Sequence, residues 1–273
     1  MVNGERGGEE SNGWNPWYGP LALLIGFVAS IISGVVVVVI GHAAGSSLTN
    51  PTPAVTDVGT LVEEIGFVLS ALWVASWTGW PRPAQFGVRR PPRFRLWQIA
   101  LAVALAYVAF IVLSALWTVV VSQGSSEKYL VKDVGAHAGA AGVLAACLVL
   151  CVVAPVCEEF LFRGFIFGAI RNWRGPWLAA VITGVLFGAI HVGSAPVVDL
   201  VPLAVFGILL CGLRQLTGSL YPGIALHSLN NAAALVVNAD WSFTAFLAVF
   251  IGSLALIAAL VSLSQDRLKV ALW

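Results

Sequence analysis

Two adjacent carboxylates and an arginine stand inside an apolar stretch of the chain. The motif CEEFLFRG occupies residues 157–164, within the apolar residues 143–170. An ionised carboxylate without a partner in hydrocarbon is costly, and two side by side also repel each other. Ionisable groups at membrane depth are usually functional, so Glu158 and Glu159 are the first candidates for catalysis. The structural alternative is a buried ion pair that fixes helix packing.

Spacing along the helix separates the two glutamates. Glu159 and Arg163 are four residues apart, so they share one helix face in the order that favours an ion pair. This pair can neutralise itself and organise the site. Glu158 is turned by about 100° around the helix axis and has no obvious cation near it. Glu158 is therefore the candidate general base.

Three other polar residues interrupt apolar segments, namely His191, His227 and Asn231. The helix rise places Glu158 and His191 about 20 Å from the arginine-bearing ends of their helices, and His227 and Asn231 about 10 and 16 Å. Comparable depths predict one shared polar pocket. His227 and Asn231 share a helix face and form a donor pair suited to an oxyanion. His191 is left to share a proton or a water molecule with Glu158.

A zinc site is the alternative use of these side chains. Glu158, His191 and His227 with a water molecule could complete the four ligands of zinc. Asn231 is a poor zinc ligand, and an oxyanion role explains the pairing of His227 with Asn231 better. The sequence therefore favours a reaction without a metal or other cofactor.

A second carboxylate pair, Glu63 and Glu64, lies in another apolar segment. No arginine follows four residues later, and the pair is expected near the outer end of its helix. We therefore favour an interfacial role for both residues.

The composition predicts an all-α polytopic membrane protein. The chain is 59% hydrophobic and 10% charged, whereas soluble domains carry about 25% charged residues. The net charge of +1 gives no basic field for nucleic acid, so the expected partners are the lipid bilayer and molecules within it. Segments of about 20 apolar residues can span a bilayer. Eight candidates are present, at residues 21–40, 60–80, 96–121, 143–170, 177–192, 197–213, 220–237 and 243–263.

The polar site is predicted to lie among the fourth, fifth and seventh segments. Pro155 interrupts the fourth segment just before the glutamates, where it should free backbone carbonyls and bend the helix. Residues 1–19 are expected to be a disordered cytoplasmic tail, residues 20–265 an eight-helix membrane domain, and residues 266–273 a short cytoplasmic tail.

Arginine placement predicts the orientation in the membrane. With eight helices, the arginines at 82–95, 171, 174, 214 and 267 all fall on one side. Positively charged loops stay in the cytoplasm. Both termini are then cytoplasmic, and the protein is expected in the cell membrane.

The polar motifs, taken in order, resemble the CPBP family of CAAX-processing and bacteriocin-processing intramembrane proteases. That family carries EExxxR, FxxxH and HxxxN on successive helices, and these patterns stand here at residues 158–163, 187–191 and 227–231. Residues 86–91, FGVRRP, are similar to a basic element upstream in the family. Each motif is short, but the ordered set in a multi-helix membrane protein is specific.

The resemblance implies an eight-helix membrane protease with its core at about residues 143–240 and an active site opening toward the cytoplasm. Glu158 with His191 would activate water, and His227 with Asn231 would stabilise the oxyanion. The implied substrate is a membrane-embedded or lipid-modified protein or peptide.

Two other functions use the same residue types. Buried Glu and His chains also serve proton-coupled transporters, although no internal inverted repeat typical of many transporters stands out here. A scaffold or immunity protein that binds without cleaving is the other alternative, and the intact motifs argue against it.

Overall fold

The computed structural model of the chain describes residues 13–121 and 139–270, with side chains described as far as residue 262. Within these residues the only strand-like pairing is an isolated bridge between Val192 and Ala195, so the described fold is all-α. The helices are α1 Tyr18–Ala43, α2 Pro53–Ala75, α3 Leu96–Val121, α4 Gly139–Arg174, α5 Pro176–Ala189, α6 Leu200–Thr217, α7 Tyr221–Asn238 and α8 Phe243–Val270. A one-turn helix, Pro83–Phe86, precedes α3, and a 3-10 turn, Val197–Asp199, precedes α6.

Each predicted apolar segment is helical, and six of the described helices are long and apolar enough to cross a membrane. These are α1, α2, α3, α4, α6 and α8, whereas α5 is a shorter apolar helix. The sides of α1, α3 and α8 that face away from the other helices expose many Leu, Ile and Val side chains. Such a surface is far larger than soluble proteins expose, and it suits contact with lipid. The chain is a multi-pass membrane protein.

The ends of the chain differ from the expected tails. Residues 1–12 and 271–273 lie outside the described residues. Tyr18 and Gly19 already belong to α1, and Trp14 packs its ring 4.8 Å from both Phe86 and Phe165. The backbone of α8 continues to Val270, past the expected helix end at 263. The helices α1 and α8 therefore extend into residues that were expected to belong to the tails.

Helix α4 is continuous through Pro155 because two stretches of π-helix, Val149–Val153 and Phe160–Ile166, widen its turns. Proline has no N–H, so it leaves the preceding turn with carbonyls that have no helical donor. Two side chains of α7 bind these carbonyls: Ser228 Oγ donates to Cys151 O at 2.7 Å, and Asn231 Nδ2 donates to Leu150 O at 2.9 Å. The predicted release of backbone carbonyls is confirmed, and it attaches α7 to α4.

Glycines bring α5 and α6 into backbone contact. A Cβ added to Gly184 would lie 2.6 Å from Ala204 O, and one added to Gly188 would lie 2.6 Å from Leu200 O. Only residues without a side chain allow this approach, as is common between membrane helices. The contact fixes the end of α5, and the turn that follows it, against the start of α6.

Candidate functional site

One cavity of about 460 Å³ lies between helices α2 to α7. Glu158, His191, His227 and Asn231 all line it, so the sequence prediction of a shared polar pocket is confirmed as geometry. Most of the remaining lining is apolar, with rings from Phe67, Phe110, Phe187 and Phe206. The cavity therefore combines a low-polarity wall with a small set of convergent polar groups, which is the usual form of a ligand site.

Behind the cavity lies the predicted ion pair. Arg163 Nη1 donates to Glu159 Oε1 at 2.8 Å, and both side chains are completely buried. Arg163 Nη2 also donates to Gly207 O at 3.2 Å, and the guanidinium lies 4.4 Å from the centre of the Phe187 ring. The pairing predicted from four-residue spacing is confirmed. It joins α4 to α5 and α6.

His227 lies between the two adjacent glutamates. Its Nδ1 is 3.1 Å from Glu159 Oε1, and its Nε2 is 3.9 Å from Glu158 Oε2. An ionised carboxylate only accepts hydrogen bonds, so Nδ1 carries the proton and Nε2 of the neutral ring is free to accept one. Glu159 thus orients His227 as well as binding Arg163, a role that spacing within one helix could not predict.

His191 lies in the turn just after α5, not inside a helix reaching residue 192 as predicted. Its Nδ1 is 2.8 Å from Phe187 O, one of the carbonyls left without a donor at a helix end. A carbonyl only accepts, so Nδ1 carries the proton and Nε2 of the neutral ring keeps its lone pair. His191 therefore offers a fixed base nitrogen.

Asn231 is more constrained than the sequence indicated. Its Nδ2 donates to Leu150 O on α4, so one of the two amide N–H groups is already used. The second N–H remains as a donor, which leaves room for the predicted oxyanion role. The hydrogen bond to α4 also fixes the orientation of the amide.

The predicted interfacial role of the second carboxylate pair is wrong, because both residues face the cavity. Glu63 and Glu64 both line the cavity, and Glu64 is only 4% exposed. Helix α2 begins at Pro53, earlier than the expected residue 60. Glu64 therefore lies about 16 Å inside the helix instead of near its end. Glu64 could have been recognised by the same feature that marks Glu158, namely an acidic pair inside an apolar helix.

The cavity lies in the half of the helices opposite the arginines. Its lining includes Thr60 in the first half of α2, Thr118 near the end of α3, Asp199 before α6 and Asn238 at the end of α7. The arginines at 82–95, 171, 174 and 214 stand at the other ends of the helices. The cytoplasmic position of the arginines and an opening toward the cytoplasm both remain predictions.

The residues named for zinc do not form a ready-made metal site. Among the described residues, no group of three or more His, Cys, Asp and Glu side chains is arranged to hold a metal ion. The contact of His227 Nδ1 with Glu159 is one that zinc-bound histidines also make, so the lack of a three-residue group is what decides against the metal. The set Glu158, His191 and His227 does not fit a zinc ion in this arrangement.

The fold and the site define a multi-pass membrane protein with carboxylates and histidines facing a buried cavity. Residues 140–233 match the family described as type II CAAX prenyl endopeptidase Rce1-like. The matched region contains all three ordered motifs, and the similarity points to a membrane protease. The chain is also 33% identical over 88 residues to a protein of Escherichia coli named "Uncharacterized 24.3 kDa protein". That match covers 31% of this chain and 40% of the relative. No solved structure matches the chain.

Arg163→Met tests the buried ion pair. Removing the guanidinium leaves the Glu159 carboxylate buried with only His227 as a partner, so we expect a loss of about 3–5 kcal/mol in stability. The measurement is unfolding of purified protein in detergent. The double variant Glu159→Gln with Arg163→Met removes both charges and should recover part of this loss. Equal stability of the single variant and the wild type would contradict the account.

Proposed function

We propose that the protein is an intramembrane endopeptidase that hydrolyses a peptide bond of a membrane-embedded or lipid-modified protein or peptide. The observation that carries this proposal is the single cavity lined by Glu158, His191, His227 and Asn231, in a chain whose residues 140–233 match an endopeptidase family. A carboxylate base, two oriented imidazoles and an amide donor are the groups that peptide hydrolysis needs.

In the proposed reaction, Glu158 accepts a proton from a water molecule while the water oxygen bonds to the scissile carbonyl carbon. His191 Nε2 accepts a hydrogen bond from the same water, since its Nδ1–H is held by Phe187 O. A base and an orienting acceptor together fix the attacking lone pair toward the substrate. Cleavage of the C–N bond then returns the proton from Glu158 to the leaving amine.

Charge on the carbonyl oxygen needs donors in the apolar cavity. We assign this role to His227, when its Nε2 is protonated, and to the second N–H of Asn231. Glu159 supports a positive His227 ring through its contact with Nδ1, and Glu159 also accepts a hydrogen bond from Arg163. Such prearranged donors act strongly where water is excluded.

The shorter helices complete the proposed membrane arrangement. With α5 and α7 also inside the bilayer, the six long helices become eight, within a membrane domain at residues 20–265 and a protease core at 143–240. The positive-inside rule places the arginines and both termini in the cytoplasm, in the cell membrane. The cavity then faces the extracytoplasmic half of the bilayer, so substrate would enter from that side.

Glu158→Gln and His191→Ala test the proposed base and its partner. Glutamine keeps the shape of the side chain but cannot accept a proton, so we expect turnover to fall about 10²–10⁴-fold. The measurement is cleavage of a membrane-anchored reporter peptide in proteoliposomes. Asp57→Asn changes another buried carboxylate of the membrane helices, outside the cavity lining, and should retain activity. Full turnover by Glu158→Gln would sink the proposal.

Chelation tests whether the reaction proceeds without zinc. Because the described donors form no three-ligand group, we expect protein treated with a strong chelator to retain its turnover. Metal analysis of the treated sample shows that any bound metal has been removed. Complete loss of cleavage, restored by added zinc, would contradict a metal-free reaction.

Thiol labelling tests the proposed orientation. Ser194 is exposed and lines the cavity at its arginine-poor end, just after α5. Arg174 is exposed at the opposite end, where α4 ends and α5 is about to begin. In a cysteine-free background, Ser194→Cys should react with a membrane-impermeant maleimide on intact cells. Arg174→Cys should react only after the cells are opened. The reverse pattern would place the cavity on the cytoplasmic side.

A further inference from the structure

Glu64 is a buried acid with no cation beside it. The residue is only 4% exposed, and its Oε2 has no hydrogen-bond partner among the described residues. Glu158 Oε2 on α4 is in the same situation. No arginine or lysine is among the residues that line the cavity. Neither carboxylate can therefore be neutralised by an arginine or lysine of the cavity lining.

Glu64 and Glu158 line the same cavity, and α2 packs against the stretch of α4 that carries Glu158. Two ionised carboxylates facing one apolar cavity repel strongly, and carboxyl pairs of this kind share a proton. A carboxylic acid donates one O–H, whereas two carboxylates offer only acceptors. One shared proton supplies the donor that both unpartnered Oε2 atoms lack.

We propose that Glu64 is a positioning residue for Glu158: its protonated carboxyl donates a hydrogen bond to the Glu158 carboxylate and fixes that carboxylate in the cavity. The inference rests on the proposed function, in which Glu158 takes a proton from water. The other titratable groups near Glu158 include Glu63 on α2, Cys157 and Glu159 on α4, and His191 and His227. Asp199 lines the cavity at its arginine-poor end.

The donor role has a consequence for the pH dependence of cleavage. Without the hydrogen bond, the buried Glu158 carboxylate loses a partner for its ionised form, so Glu158 must lose its proton at higher pH. If Glu64 were ionised instead, its removal would eliminate a repelling charge. Glu158 would then lose its proton at lower pH. The direction of the shift therefore distinguishes a shared proton from two separate carboxylates.

Glu64→Leu and Glu64→Gln form the test pair. Leucine removes the donor, so we expect kcat/KM to fall about tenfold to a hundredfold and the acid limb of its pH profile to move up by about one to two pH units. Glutamine keeps an N–H donor and should stay within about threefold of the wild type, with the acid limb in place. Asp57→Leu, another buried acid of α2 outside the cavity lining, is the control and should leave the limb unmoved.

A shift of the acid limb to lower pH in either Glu64 variant would overturn the proposal, as would an unmoved limb in Glu64→Leu. Folding of each variant is checked by its unfolding in detergent. If the Glu64→Leu protein does not fold, the Glu64→Gln protein alone provides the test. In that case an acid limb shifted downward in Glu64→Gln overturns the shared proton, and an unmoved limb supports it.

An infrared titration separates this inference from the proposed function. The carbonyl stretch of a protonated carboxyl should be present in the wild type at neutral pH and lost in Glu64→Gln, whether or not the protein cleaves a peptide. Absence of that band in the wild type overturns the shared proton. Absence of cleavage by the wild type, with the band present, contradicts only the proposed function.

Discussion

The structure depends on one carboxylate that has no water to solvate it. Glu159 is completely buried, and its Oε1 accepts hydrogen bonds from both Arg163 and His227. A buried charge persists only when it is paired and hydrogen-bonded. Meeting this requirement brings together a guanidinium from α4, an imidazole from α7 and the Gly207 carbonyl of α6. Gly223 completes the fit, because a Cβ there would lie 2.8 Å from Glu159 Oε2.

A backbone requirement adds to this charge requirement. Pro155 leaves carbonyls on α4 that lipid cannot satisfy, and Ser228 and Asn231 of α7 bind them. The helix that carries His227 is thus attached to α4 by two residues that follow His227 within the next turn. Catalytic geometry needs side chains held within a fraction of an ångström. These two sets of hydrogen bonds supply that rigidity without any loop.

The sequence predicts contacts correctly where two residues lie on the same helix or at the same depth in the membrane. The pairing of Glu159 with Arg163 follows from four-residue spacing, and a common depth was enough to bring His191, His227 and Asn231 to one cavity. Contacts between side chains of different helices could not be predicted in this way. Spacing says nothing about helix rotation, so the contact of His227 with Glu159 and the bond of Asn231 to α4 could not be predicted. Glu64 was missed because Asp57 and the prolines lower the local hydropathy, so that α2 was predicted to begin later than it does.

The central claim is that the residues of this cavity catalyse cleavage of membrane-associated proteins. The most direct measurement compares the termini of membrane-associated proteins in cells with and without the active chain. Membrane fractions from cells making the wild-type chain and from cells making Glu158→Gln are analysed for new N- and C-termini by mass spectrometry. The account predicts that a defined set of membrane-associated proteins is cut only with the wild type and accumulates uncut with Glu158→Gln. Identical termini in the two membrane fractions, with both chains present at equal levels, would contradict it.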